Sequence, residues 1–134
     1  MPLLAYFAMP PVPPLKPVEW MGSARDDLRR FPEPVQDVMG YALYLAQCGA
    51  HPPKAKRLKG ELAGMIELVD DFDGDTYRAV YTVKLRGAVY VLHAFQKKST
   101  RGIATPRREI ALIKERYRWA RVHHAAHYGA QEER

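Results

Sequence analysis

Three runs rich in β-branched and aromatic residues, Met65–Val69, Thr76–Leu85 and Ala88–Gln96, follow one another with turns at Asp73-Gly74 and Arg86-Gly87. Connections this short cannot carry a crossover helix, and Asp-Gly favours a tight hairpin, so the spacing predicts an antiparallel meander. Upstream, Pro17–Met21 reads as a short strand. Ser23 stands three residues ahead of Asp26 in a capping-box-like start for a short helix through Arg30. Pro32 and Pro34 suit the first turn of a second helix, whose stripe Val35, Val38, Met39, Ala42, Leu43 and Ala46 stops at Gly49. Thr105-Pro106 opens a third helix, with Ile110, Ile113, Tyr117 and Ala120 inward and Arg107, Lys114, Arg118 and Arg121 outward, fading after His124. The predicted class is α+β: an antiparallel sheet meander with N-terminal helices and a C-terminal helix packed on one face.

A chain of 134 residues is expected to hold one domain. Residues 1–17, with prolines at 10, 11, 13, 14 and 17, read as an extended or disordered arm, 18–124 as the domain and 125–134 as a flexible tail. The apolar opening lacks a basic start and runs into prolines, so it is expected to be neither signal peptide nor membrane span, and a start at Met9 would leave the domain whole. Cys48 is alone, which excludes an internal disulfide and a zinc-type cysteine pair and suits a reducing cytoplasm.

The net charge of +6 is unevenly placed: residues 97–121 hold nine Lys or Arg against Glu109 and Glu115. A second basic segment carries Lys54, Lys56, Arg57 and Lys59. A merely solvated surface mixes both signs. These segments hold almost one, so together with Arg101, Arg107 and Arg108 they are read as a footprint for RNA phosphates. No cofactor or metal is expected. Asp70-Asp71-Phe72-Asp73-Gly74-Asp75 imitates a calcium loop but lacks the closing glutamate and reads as a hairpin turn. His123, His124 and His127 have no acidic ligand beside them.

Four strand residues could carry chemistry. Arg78 lies on the side opposite Tyr77, Ala79 and Tyr81, as an exposed face residue or a functional one. Lys97 and Lys98 end the next strand, where only one of them can share Arg78's surface. His93 sits inside that strand as a satisfied core histidine or a proton-transfer group. Tyr81 and Tyr90 are ordinary packing residues in the simpler reading.

The order Tyr77-Arg78-Ala79-Val80-Tyr81, then Phe95-Gln96-Lys97-Lys98-Ser99, then Thr105-Pro106-Arg107-Arg108, resembles the HigB-like branch of the RelE superfamily, the ribosome-associated RNase toxins of bacterial toxin–antitoxin pairs. The resemblance runs from about Val18 to about Trp119 and departs from the family pattern in a longer segment, Thr100 to Ala104. It implies a RelE-like fold and a cytoplasmic, metal-independent endoribonuclease that cuts mRNA on the ribosome and inhibits translation. It also implies a helix-turn-helix antitoxin of the HigA type as partner. Arg78 falls on the position that holds the scissile phosphate, and Lys97, before Lys98, on the lysine nearest it. The implied reaction is attack of the ribose 2′-oxygen on phosphorus to leave a cyclic phosphate, with the base open between His93 and a lysine. A catalytically silent module that grips nucleic acid or protein is the alternative.

Overall fold

The computed structural model describes residues 14–97 and 105–129. Its elements are β1 (Val18–Trp20), α1 (Ala24–Arg29), α2 (Glu33–Gln47), β2 (Lys56–Arg57), a 3-10 turn (Gly60–Leu62), β3 (Ile66–Phe72), β4 (Asp75–Thr82), β5 (Val89–Lys97) and α3 (Arg107–Tyr128). The β3–β4 turn is set by Asp73 and Gly74 at φ 52° and 85°, the left-handed pair of a type I′ hairpin. The meander is therefore present. The sheet order is β1-β5-β4-β3-β2, antiparallel throughout except that β1 lies parallel to β5, Val18 opposite Val89 and Trp20 opposite Val91. A three-residue strand has too little periodicity to reveal its pairing from sequence.

The helices do not share one face, as the sequence had suggested. Val35, Met39 and Leu43 of α2 and Leu28 of α1 pack with Leu68, Tyr77, Ala79 and Val91, whereas Ile113 and Ala120 of α3 pack with Val80, Tyr90, Leu92 and Phe95. The cause lies in β5, where every residue from Val89 to Phe95 is buried. A strand apolar on both sides needs a layer on each. Register breaks once, so that Val80 pairs with His93 and Tyr81 with Val91, leaving Leu92 as a bulge and keeping His93 on the α3 side.

Two element ends differ from expectation. Ser23 makes no capping bond to the backbone, because its hydroxyl donates instead to Asp27 Oδ2 at 2.7 Å. Helix α3 continues through Tyr128, beyond the expected boundary at 124. His124 is buried with its Nε2 2.8 Å from the Arg86 carbonyl, and the Tyr128 hydroxyl donates to Glu19. Of the N-terminal arm, Lys16 is tied to Gln47 through its own amide and carbonyl, and residues 1–13 lie outside the described residues. Among the described residues no helix is long and apolar enough to cross a membrane.

Candidate active site

Alternation along β4 turns Arg78 towards the α3 side, and the strand register brings four neighbours to the same face. Arg78 is opposite Phe95, Thr76 is opposite Lys97, and Val80 is opposite both His93 and Glu67. Arg78 Nη1 donates to Glu67 Oε2 at 2.8 Å. Glu67 is only 3% exposed, and the Arg78 side chain 19%. The exposed arginine expected from the sequence is thus half-buried, because the adjacent strand supplies a buried carboxylate. Its Nε is also buried and has no acceptor, an open donor in a place where polar groups are usually satisfied. Lys97 lies beside it, 8% exposed, and burial holds its ammonium below the ordinary lysine pKa. The Arg78 charge pushes in the same direction and Glu67 opposes.

His93 is bonded at both nitrogens. Its Nε2 is 2.7 Å from Glu109 Oε1, and its Nδ1 is 3.1 Å from Arg116 Nη1. A guanidinium can only donate, so Nδ1 accepts and the proton sits on Nε2, donated to Glu109. Burial is the largest influence on His93 and lowers its pKa; the Glu109 bond opposes this and the Arg116 charge adds to it. Arg116 also donates to the Leu92 carbonyl at 3.1 Å and to Ser23 Oγ at 3.0 Å. The result is a polar chain, Glu109–His93–Arg116–Ser23–Asp27, joining α3 to α1 across β5. His93 therefore sits in the wall behind the Arg78–Lys97 surface, its ring stacked on Phe95 with centroids 4.8 Å apart.

The basic residues divide between the two faces. Lys56 is opposite Glu67 and shares Arg78's face, whereas Arg57 is opposite Ile66, whose side chain belongs to the α2 core. Lys54 likewise lines a groove with Val38 and Leu68 on the α2 side. Lys59 is exposed just before the 3-10 turn. Arg107 and Lys114 both donate to Glu61, which draws that carboxyl down to about 2, the Arg107 bond being the larger cause. Arg108 is 89% exposed and 3.7 Å from Glu109 Oε2. Lys98 and Arg101 lie outside the described residues. Tyr81 and Tyr90 are fully buried, and burial raises the Tyr81 hydroxyl to about 12.

Sequence reasoning passed over Glu67, Glu61, Glu109 and Arg116. Arg116 had a signal: it falls in the phase of Ile113, Ala120 and His124 along α3, the residues that are in fact buried. Chemically, Arg78 and Lys97 offer two cations on a surface partly withdrawn from water. Such a surface can hold a phosphate and stabilise negative charge growing on it. Among the described residues no three His, Cys, Asp or Glu side chains gather as a metal site.

No curated protein matches the sequence. The crystal structure of the toxin-antitoxin complex RelBE2 from Mycobacterium tuberculosis contains a similar chain, at 22% identity and a TM-score of 0.43, over 63% of this chain and 94% of that one. The family model described as Phage derived protein Gp49-like matches residues 26–118, from α1 through most of α3 with strands β2 to β5 between, and the chain belongs to that family.

Proposed function

We propose that this protein is the toxin of a type II toxin–antitoxin pair, of the HigB-like kind, and that it is a cytoplasmic endoribonuclease cutting mRNA on the ribosome. The observation that carries the reading is the pairing of Arg78 and Lys97 on one half-buried sheet face, beside a buried carboxylate that orients the arginine. The Phe95-x-Lys97-Lys98-Ser99 and Thr105-Pro106 elements and the one-sign basic segments support it. In the reaction, the ribose 2′-oxygen bonds to phosphorus as the bond to the 5′-oxygen breaks. The 2′ proton goes to a base, and the leaving oxygen takes one up, giving a cyclic phosphate and a free 5′-hydroxyl.

Arg78, oriented by Glu67, is assigned to the equatorial phosphate oxygens through the part of its guanidinium that Glu67 leaves free. Lys97, whose ammonium burial holds below the ordinary lysine pKa, is assigned to charge stabilisation, and the base that takes the 2′ proton is a lysine of the site or His93. His93, with both nitrogens engaged inside the protein, is the weaker candidate for base and acts through the wall it forms. Lys98 would be the second lysine of the site. Lys56, on the face of Arg78, and Arg107, at the start of α3, are assigned as phosphate contacts, and a HigA-like helix-turn-helix antitoxin would neutralise the whole. A silent binding module is the second reading, favoured by the absence of a free histidine at the site among the described residues.

Single-turnover cleavage on programmed ribosomes tests the assignment. Arg78→Lys keeps a cation against Glu67 but lacks the fork, so it should fold normally and cleave about a hundred- to a thousand-fold more slowly. Wild-type rates in that variant would remove Arg78 from the chemistry. No cleavage by the wild type, with growth unaffected by induced folded protein, would favour the silent module. Co-expression with the neighbouring gene should restore growth and give a stable complex.

A further inference from the structure

The sheet has an open edge. Strand β2 ends the sheet but covers only Ile66 and Glu67 of β3, and among the described residues no strand lies beyond Leu68 to Phe72. Two observations say which backbone groups face outward there. The Met65 carbonyl accepts from the Leu58 amide, so Met65 faces the β2 side, and the two-residue turn at Asp73-Gly74 makes Phe72 and Asp75 a hydrogen-bonded pair facing inward. Counting by twos from either end gives the same answer: Glu67, Val69 and Asp71 point outward. Glu67 meets β2, whereas Val69 and Asp71 present amides and carbonyls to which no strand pairs.

Beside this edge runs a groove of about 180 Å3, apolar through Val38, Met39, Ala42, Pro53 and Leu68, with Lys54 and Asp70 as its charged lining residues. Val38 was expected in the helix core, yet it is 50% exposed over the groove, and Phe72 further along is 38% exposed. Towards the hairpin the surface becomes acidic through Asp70, Asp73 and Asp75, the last two close enough to act on Tyr77. The open rungs suit an added strand, the groove suits alternate apolar side chains on its α2 side, and the carboxylates suit a cation at its end.

We propose that the outer edge of β3 at Val69 and Asp71 docks an extended segment of a second protein, apolar where it meets Val38 and bearing Lys or Arg where it meets Asp70 and Asp73. RNA is disfavoured by the carboxylates. A second copy is disfavoured too, because antiparallel self-pairing about Asp70 would set the acidic stretches against each other. The inference does not depend on the cleavage reading.

Amide exchange on the full-length protein tests it, with a synthetic peptide of alternating valine and lysine as probe. Free protein should exchange Val69 and Asp71 rapidly and Leu68 and Asp70 slowly. The peptide should slow Val69 and Asp71 by about tenfold or more, and a glutamate-for-lysine peptide should not. Val69→Pro removes an outward amide that pairs with no strand among the described residues, so it should fold and lose the peptide, whereas Leu68→Pro should disrupt the sheet. Should Val69→Pro fail to fold, Asp70→Lys leaves the backbone intact and should reverse the peptide preference. Unchanged exchange with the lysine peptide overturns the proposal. So does protection that grows with protein concentration alone, which would mean self-pairing, or protection by an RNA oligonucleotide instead of the peptide.

Discussion

Glu67 and Arg78 need each other more than either needs its place in the sheet. Removing the arginine leaves a carboxylate that is 3% exposed without its hydrogen-bonded partner and with Lys97 as its nearby cation, and losing one partner of a buried pair costs at most about 3–5 kcal/mol. Arg78→Ala should therefore lower stability by up to that amount, while Arg78→Leu combined with Glu67→Leu should return most of it, as read by urea unfolding. Equal losses in the single and double variants would show that the ion pair is not what the site depends on. This is also why a cleavage defect in Arg78→Ala alone would be ambiguous and Arg78→Lys is the informative change. Gly22 is constrained in another way. Its φ is +56°, and an added Cβ would lie 2.6 Å from Arg116 Nε. Gly22→Ala should cost about 1–2 kcal/mol for the left-handed backbone and more for displacing the guanidinium, visible as a lower melting temperature.

At the scale of elements, the first half of α3 is tied to β5 by a buried polar chain and to the 3-10 turn by an exposed staple, and the two should respond differently to perturbation. His93 is neutral in the buried chain, and its folded pKa lies below the ordinary 6.5. The unfolded chain thus takes up a proton first as pH falls. The contribution of His93 is present in full above about pH 6.5 and is lost as pH falls through that value towards the folded pKa. Unfolding measured from pH 8 to pH 5 should show stability declining below 6.5, and His93→Gln should be less stable at pH 8 but flatter across the range. The Glu61 staple is solvent-exposed and should matter little for stability. Its effect is on charge: Glu61→Gln frees Arg107 and Lys114, so RNA binding should tighten and its salt dependence steepen, by up to about 0.7 in logarithmic slope for each new phosphate contact. An unchanged slope would mean that these cations do not meet RNA. The sequence revealed the elements better than their anchors. Turn chemistry at Asp73-Gly74 located the hairpin, and helical spacing located α2 and α3. Arg116 and Glu67 drew no reading from the sequence because charged residues are usually solvated, and only a partner on a distant element makes their burial tolerable. The parallel pairing of β1 and the second covered face likewise depend on contacts far apart in the chain.

Across the whole molecule, charge is sorted by face and by end. The α3 side gathers Arg78, Lys97, Lys56 and Arg107, while the β3–β4 hairpin carries Asp70, Asp71, Asp73 and Asp75. Sorting of this kind orients an approaching polyanion before any contact forms, and the resulting affinity depends on salt because bound counterions are released. The strand register sharpens this into a comparison between adjacent residues. Lys56 and Arg57 are both exposed and carry the same charge, but Lys56 is on the face of Arg78 and Arg57 is on the opposite one. If RNA lies on the α3 side, Lys56→Glu should weaken binding and reduce the slope of log affinity against log salt by about 0.7. Arg57→Glu should leave both nearly unchanged, although the two substitutions alter net charge equally. Filter binding of a short single-stranded RNA between low and physiological salt distinguishes the cases. Equal effects from both variants would mean that only net charge steers the RNA, and a larger effect from Arg57→Glu would move the interface to the α2 side, away from Arg78 and Lys97.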